Sequence, residues 1–428
     1  MQKLLAVAVT AQAKPILAKA TIGHECASRT SWTGWTKHGR GAYQELVRVS
    51  VESPAKDRTA LQHRSFRLLL VATVGGFAGY VLLMPVLPLW AVAGGAGEVA
   101  AGATNAVFML VTVLTQLGMP WLLKRIDHRI AFALGTMLIG LPTPLYALSS
   151  ELWLLLGVSC LRGVGFGLLT VTGAALVAEL VPAAQRGRAA GLYGLSIGLP
   201  NVLFLPAGVW LTQTIGFVPL FWIAGALPVA ATAAALGMSR VRAKAVERSG
   251  TSAFPLALLP SWTVMTTAAI AAGGLTAFLP LAIAGSVAPA ALLAFGAATM
   301  LGRWAAGQLG DRLGHNRVLV PAVLLAALGT GLLAVAAWGA DPVALVGAAA
   351  FGAGFGAVQN ITLVVMFERT ESGVASTAWN IAYDAGQGLG SIGFGALVTL
   401  SGYPVTFAVA AILIAIGTPL AASHRRRD

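Results

Sequence analysis

Val318-Leu-Val-Pro-Ala-Val-Leu-Leu-Ala-Ala-Leu-Gly-Thr-Gly-Leu-Leu-Ala-Val-Ala-Ala-Trp338 runs for 21 residues without a charge, and Asp311, Arg312 and Arg317 stand just before it. A helix of this length is about 32 Å long, and the hydrocarbon layer of a bilayer is about 30 Å thick. The run therefore reads as a membrane-spanning helix with a charged loop at one end. Eleven more apolar runs of similar length lie near 66–90, 101–122, 130–149, 152–178, 188–213, 216–238, 256–284, 288–309, 343–366, 374–400 and 403–422. The chain is 57% hydrophobic and only 10% charged, whereas soluble domains carry about 25% charged residues. The expected fold is an all-α polytopic membrane protein with twelve transmembrane helices. The 51 glycines suit it, because small residues let membrane helices approach closely.

The net charge of +13 is placed unevenly. Alternate connections carry Lys124, Arg125 and Arg129; Arg186 and Arg188; Arg240, Arg242, Lys244 and Arg248; Arg312 and Arg317; Arg369; and Arg425, Arg426 and Arg427. The connections around 91–100, 150, 214, 286, 341 and 402 carry no Lys or Arg. Basic loops stay in the cytoplasm, so both termini are expected there, in a bacterial inner membrane. The basic excess is a topological signal and calls for no nucleic-acid partner.

Residues 1–65 form a basic stretch too short in apolar runs to span, read as a disordered cytoplasmic tail or as sequence upstream of the true start. The longest later polar stretch, 239–253, divides the spans into 66–238 and 254–422, six each, with 423–428 as a short cytoplasmic tail. Cys26 and Cys160 suggest neither a disulfide framework nor a metal site, and the six histidines are scattered. No cofactor is expected.

The connection before the opening run, Gly307-Gln-Leu-Gly-Asp-Arg-Leu-Gly-His-Asn-Arg317, resembles the signature loop of the major facilitator superfamily. Gly307, Leu309, Asp311, Arg312, Gly314 and Arg317 match its pattern. The first-half counterpart, Gly118 to Arg129, departs from it, with Leu123 where the Asp belongs and Asp127 displaced. Leu161-Arg-Gly-Val-Gly-Phe-Gly167 resembles a family motif of the fourth span. Gly191 to Pro200 with Pro206-Ala-Gly208 resembles the fifth span of the family's drug antiporters. The resemblance covers 66–422 and implies two six-helix bundles around a central cavity, a conformational latch at Gly307, Asp311, Arg312, Gly314 and Arg317, and cavity lining by spans 1, 4, 7 and 10. Tyr80, Arg162, Trp262, Gln359 and Asn360 are the lining candidates on that basis.

The eleventh run holds Asn380, Asp384, Gln387 and Ser391 at spacings that place them on one helical face. Asp384 lies ~16 Å inside the apolar layer, where a charge costs at least about 2.5 kcal/mol unless solvated or paired. Removal from water disfavours the charged form of a carboxylate, so Asp384 is a group able to load and release a proton. The alternative is a permanent pairing, for example with Arg303 or Arg162, that only fixes packing. Arg162 also lies deep in its run and must face a cavity, a carboxylate or backbone carbonyls. Arg303, close to the signature loop, reads as a snorkelling or loop-supporting residue. Gly386 and Gly390 predict a close helix neighbour.

These features imply a secondary transporter that moves a small molecule by alternating access, with proton-coupled efflux as the leading form and protons and lipid as its other partners, acting as a monomer. No phosphate-cradling Gly-x-x-x-x-Gly-Lys motif is present to couple ATP. A uniporter or importing symporter is the nearest alternative. A non-transporting receptor or scaffold, or an intramembrane protease, is remote: an aspartyl protease needs a second membrane aspartate, and Asp311 lies in a loop.

Overall fold

A computed structural model describes residues 61, 63–182, 185–239, 256–283 and 285–423. The expectations for the N-terminal tail, the 239–253 linker and the last residues therefore lie almost wholly outside the described residues. The described part is helical throughout. It begins with α1 (Arg64–Val81) and α2 (Val86–Ala93), continues with α3 (Glu98–Leu122), α4 (His128–Gly140), α5 (Leu152–Leu180), α6 (Arg186–Ile215) and α7 (Phe217–Leu236), and passes to α8 (Leu259–Ala282), α9 (Val287–Leu313), α10 (His315–Ala336) and α11 (Val343–Arg369). The last long helix, α12 (Ser372–Ile416), runs on into the short α13 (Thr418–Ser423).

Eleven described helical stretches are long and apolar enough to cross a membrane. The last of these is two spans. Gly402 holds φ +78 within α12, and the rings of Phe394 and Phe407 lie 5.4 Å apart. In a straight helix thirteen residues would separate them by about 20 Å, so the chain reverses at Gly402 and twelve spans result. Gly216 makes the same turn between α6 and α7 with φ +82. Both glycines precede an aromatic residue, Phe217 or Tyr403, and a proline, Pro219 or Pro404, within three residues. The same corner thus recurs between the fifth and sixth spans of each six-helix bundle. With ψ of 169 and 177, both glycines sit in a positive-φ region that is almost reserved to glycine and costs other residues about 1–3 kcal/mol.

The first span is broken, which periodicity alone does not show. Proline has no N–H to give the carbonyl four residues earlier, so Pro88 leaves the Met84 carbonyl unbonded within the helix, and Asn105 of α3 donates to it at 2.8 Å. Leu83 N–H bonds back to Tyr80 rather than Gly79, and the Gly79 carbonyl accepts from Arg162 at 2.9 Å.

Within each bundle, glycines set the distances. A Cβ at Gly273 of α8 would strike the Gln387 backbone, one at Gly386 would meet Ala269 and the Thr266 carbonyl, and one at Gly390 would meet the Ile270 carbonyl. The small residues of α12 are therefore what lets α8 lie against it.

The bundles meet along two seams, α3 against α12 and α6 against α9. Gly395 lies against Glu98, Gly102 against Ser391, Gly388 against Ala106 and Met109, and Gly296 against Asn201 and Val202. Near the end free of Lys and Arg, Gln213 donates to the Gly285 carbonyl and Tyr403 to Glu98. At the basic end several bonds lie within one bundle: Ser65 with Ser239, Arg129 to the Met238 carbonyl, Arg369 to the Ala257 carbonyl. His128 faces Glu179 at 2.5 Å and His315 faces Glu368 at 3.5 Å, equivalent contacts in the two bundles. The close contacts given above between the bundles run from the end free of Lys and Arg toward mid-depth, and each basic end has ties within its own bundle. Two apolar grooves follow the outer side of the same seams, one between α3 and α12 and one between α6 and α9, both facing the lipid.

Candidate functional site

The α3–α12 seam is antiparallel, so each step toward the basic end moves up one helix and down the other. Its contacts descend from Gly395 through Ser391 and Gly388, and the next turn brings Asp384 opposite Gln116. Gln116 Nε2 donates to Asp384 Oδ2 at 2.7 Å, across the two bundles. The same nitrogen reaches Thr170 Oγ1 of α5 at 3.3 Å. Asp384 is 5% exposed and Gln116 7%. Twelve residues separate Asp384 from the start of α12, which sets it about 18 Å from that end. It is the innermost bonded rung of the seam among the described residues. Gln116 Oε1 is buried and has no partner.

Neither arginine considered as a partner for Asp384 pairs with it: no ion pair to Asp384 occurs among the described residues. Arg162 is 1% exposed. Its Nη2 donates to the Gly79 carbonyl and its Nε to the Ile139 carbonyl at 3.1 Å, and its guanidinium lies 5.7 Å from the ring centres of Phe108 and Tyr146. Gly79 and Ile139 lie in the last turns of α1 and α4, so Arg162 caps two helix ends inside the first bundle. Arg303 does not snorkel. Its Nη1 donates to Gln359 Oε1 of α11 at 2.9 Å. Arg303 stands two turns below Gly296 on the α9 face that meets α6 nearer the uncharged end, so it looks onto the space where the bundles part. That position was legible only as seven residues from Gly296 and four from Gly307; nothing in the sequence identified Gln359 as its partner.

The remaining candidates divide into two groups. Tyr80, buried at 6%, stacks on Phe108 at 5.2 Å and touches Phe166, and it lies within electrostatic reach of Tyr383 and Asp384. Gln387 is hydrogen-bonded to Tyr383 on its own helix, while its backbone contacts Gly273. These surround the Asp384–Gln116 rung. Asn380 donates back to the Ser376 carbonyl at 2.9 Å and lies one turn below. Trp262 sits near the basic end of α8, three residues from its start, away from mid-depth. Asn360 lies opposite Gly307, and its Oδ1 has no partner.

In the signature loop, Gly314 holds φ +88 where α9 ends and α10 begins. Asp311 is 77% exposed and approaches only His315, at 4.0 Å, among the described residues. Arg312 and Arg317 are exposed. In this arrangement the loop ties α9 and α10 to α11 through His315. Asp127, the displaced acid of the first half, caps α4 by accepting from Arg129 N–H at 3.0 Å.

A buried carboxylate held by a single amide dipole across a seam between two bodies can exchange a proton and, in doing so, change how the bodies hold together. Among the described residues no cluster of three or more potential metal ligands exists.

Comparison with known proteins agrees with this architecture. The model of the Major Facilitator Superfamily matches residues 69–391. The chain is 37% identical over 110 residues to an uncharacterized transporter of the MFS type from Mycobacterium tuberculosis, a match covering 24% of this chain and 15% of that protein. It is 25% identical over 303 residues to multidrug resistance protein MdtG of Escherichia coli, covering 64% of this chain and 73% of that one. Among solved structures, a bacterial homolog of the human lysosomal transporter Spinster, inward-facing and unoccupied, superposes with a TM-score of 0.65 at 13% identity, over 85% of this chain and 97% of that one. The nucleoside transporter NupG gives 0.65 at 12% identity, over 83% and 99%.

Proposed function

The chain belongs to the Major Facilitator Superfamily, and from that premise we propose that it exports a small molecule in exchange for protons, with Asp384 as the proton-carrying group. It is a multi-pass membrane transporter of a small molecule and not an enzyme. In our reading the two six-helix halves, 66–238 and 254–422, rock about the mid-depth site as one chain, and the basic ends face the cytoplasm of a bacterial cell by the charge asymmetry of the loops. The likeness to MdtG supports export of foreign compounds as the direction.

The observation that carries the reading is the Asp384–Gln116 bond at the innermost rung of the seam. A hydrogen bond to a charged group is roughly twice as strong as a neutral one. With Asp384 ionised, the bond holds the halves in the arrangement closed at the end free of Lys and Arg. A proton that reaches Asp384 removes the charge and weakens that hold; its release toward the parted basic ends restores it. Asp384 thus links proton occupancy to which end is open.

The test uses inverted vesicles of a host lacking its own pumps. A susceptibility panel of cationic, zwitterionic and neutral toxins first selects a transported probe, with ethidium as the starting dye. Asp384→Asn is expected to lose accumulation of the probe driven by a pH gradient while keeping probe-for-probe exchange. Undiminished pH-driven accumulation in the variant would overturn the assignment.

A further inference from the structure

An exchanger must not cross empty. If the unloaded, deprotonated carrier changed its facing as easily as the proton-loaded one, protons would cross without substrate. Something in the molecule has to hold the empty form.

The Gln116 side chain is placed to do this. It stands on α3 of the first bundle, and its acceptor stands on α12 of the second. Its nitrogen is shared with Thr170 Oγ1, and Thr170 donates to the Phe166 carbonyl at 3.0 Å, so the amide is anchored within its own bundle. Its Oε1 is buried without a partner, although the buried polar groups of folded proteins almost always find one. That oxygen belongs to the side chain facing the carboxylate. When Asp384 is ionised, only the nitrogen has work there. When Asp384 carries a proton, its hydroxyl becomes a donor, and rotation of the Gln116 side chain offers Oε1 as the acceptor. The amide therefore suits both protonation states, but only the ionised state gives the charge-assisted bond. The other groups that face Asp384 electrostatically are Tyr80 of α1 and Tyr383 on α12 itself, with Arg162 and Arg303 committed to carbonyl and amide partners.

We infer that Gln116 is the positioning residue that locks the empty, deprotonated transporter, and that exchange is tight because either a proton or the exported molecule must break the Gln116–Asp384 bond before the halves can move. This inference rests on the assignment of Asp384 above. The chemistry of the exported molecule follows only in part: it must offer a donor group able to displace the Gln116 amide from the carboxylate, or bulk that separates α3 from α12 at this rung.

The experiment needs no identified substrate. Purified full-length protein is reconstituted with pyranine trapped inside, potassium on both sides and valinomycin present, and an external pH step is applied. The wild type is expected to pass few protons. Gln116→Met, close to isosteric but without the amide, is expected to raise substrate-free proton flux about ten- to a hundredfold, the factor expected from losing a hydrogen bond to a charged group. Gln116→Asn, too short to span the seam, is expected to leak similarly, which guards against one variant failing to fold. Thr170→Val is expected to leak less than either. The double variant Gln116→Met with Asp384→Asn is expected to be tight again, because no titrating group remains. A folded Gln116→Met that exchanges probe and stays as tight as the wild type overturns the lock while leaving Asp384 untouched. A double variant that leaks as much as Gln116→Met overturns the Asp384 assignment itself.

Discussion

At the scale of single residues, charge in the bilayer is dealt with in three different ways. Arg162 is buried and bonds through Nε and Nη2 to carbonyls at two helix ends. Arg303 shares one amide partner and faces the space between the bundles. Asp384 has one amide across a seam. The sequence placed Arg162 and Asp384 at mid-span and Arg303 close to the signature loop, but not which of them was free to act, since tertiary packing decides which carbonyls and amides each one meets. Arg162→Met leaves the Gly79 carbonyl unpartnered in the first bundle, at a cost of about 1–3 kcal/mol, while the Ile139 carbonyl keeps Thr143 Oγ1. The expected outcome is a fall in the thermal midpoint and in yield, read by fluorescence-detected size exclusion. Arg303→Gln should leave stability near that of the wild type, because its face already opens on accessible space. Equal losses in both variants would show that the two arginines do the same job.

At the scale of elements, the pattern of apolar runs located the spans, and two glycines located one close helix contact. Gly386 and Gly390 were expected to admit a close neighbour, and α8 packs there. Less legible was the break in the first span, where Pro85 and Pro88 lie in an otherwise unbroken apolar run. The last two spans, read as 374–400 and 403–422, part where the chain reverses at Gly402. Gly402→Ala forces a residue with a Cβ to φ +78 and ψ 169 and is expected to cost about 1–3 kcal/mol. Gly273→Leu drives a side chain into the α12 backbone and is expected to abolish folded protein, while Gly393→Leu, with open space around its Cβ position, should be tolerated. Detergent-solubilised yield and melting temperature separate the three.

At the scale of the whole molecule, the arrangement is asymmetric along the membrane normal: the contacts of both seams run from the end free of Lys and Arg toward mid-depth. Cysteine pairs test this directly in a background with Cys26 and Cys160 replaced. A pair at Gly102 and Ser391 is expected to cross-link readily with a short reagent, and a pair at Leu122 and Gly373 only slowly. Adding a transported probe or imposing the opposite pH gradient should shift the balance between the two. Identical rates for both pairs under every condition would exclude rocking between the halves. Labelling of single cysteines at Gly97 and at Arg125 in intact cells checks orientation, with the former expected to react from outside and the latter not.

The sequence by itself determined that the chain lies in a bilayer, how many times it crosses, and which family it joins. A hydrocarbon solvent admits only helices whose backbone is satisfied locally, so span length and loop charge are written into consecutive residues. The tertiary structure alone decided which polar side chains meet. Gln116 and Asp384 are 268 residues apart, and no local period relates them. Their contact exists because glycine seams bring two separately folded bundles together in one register.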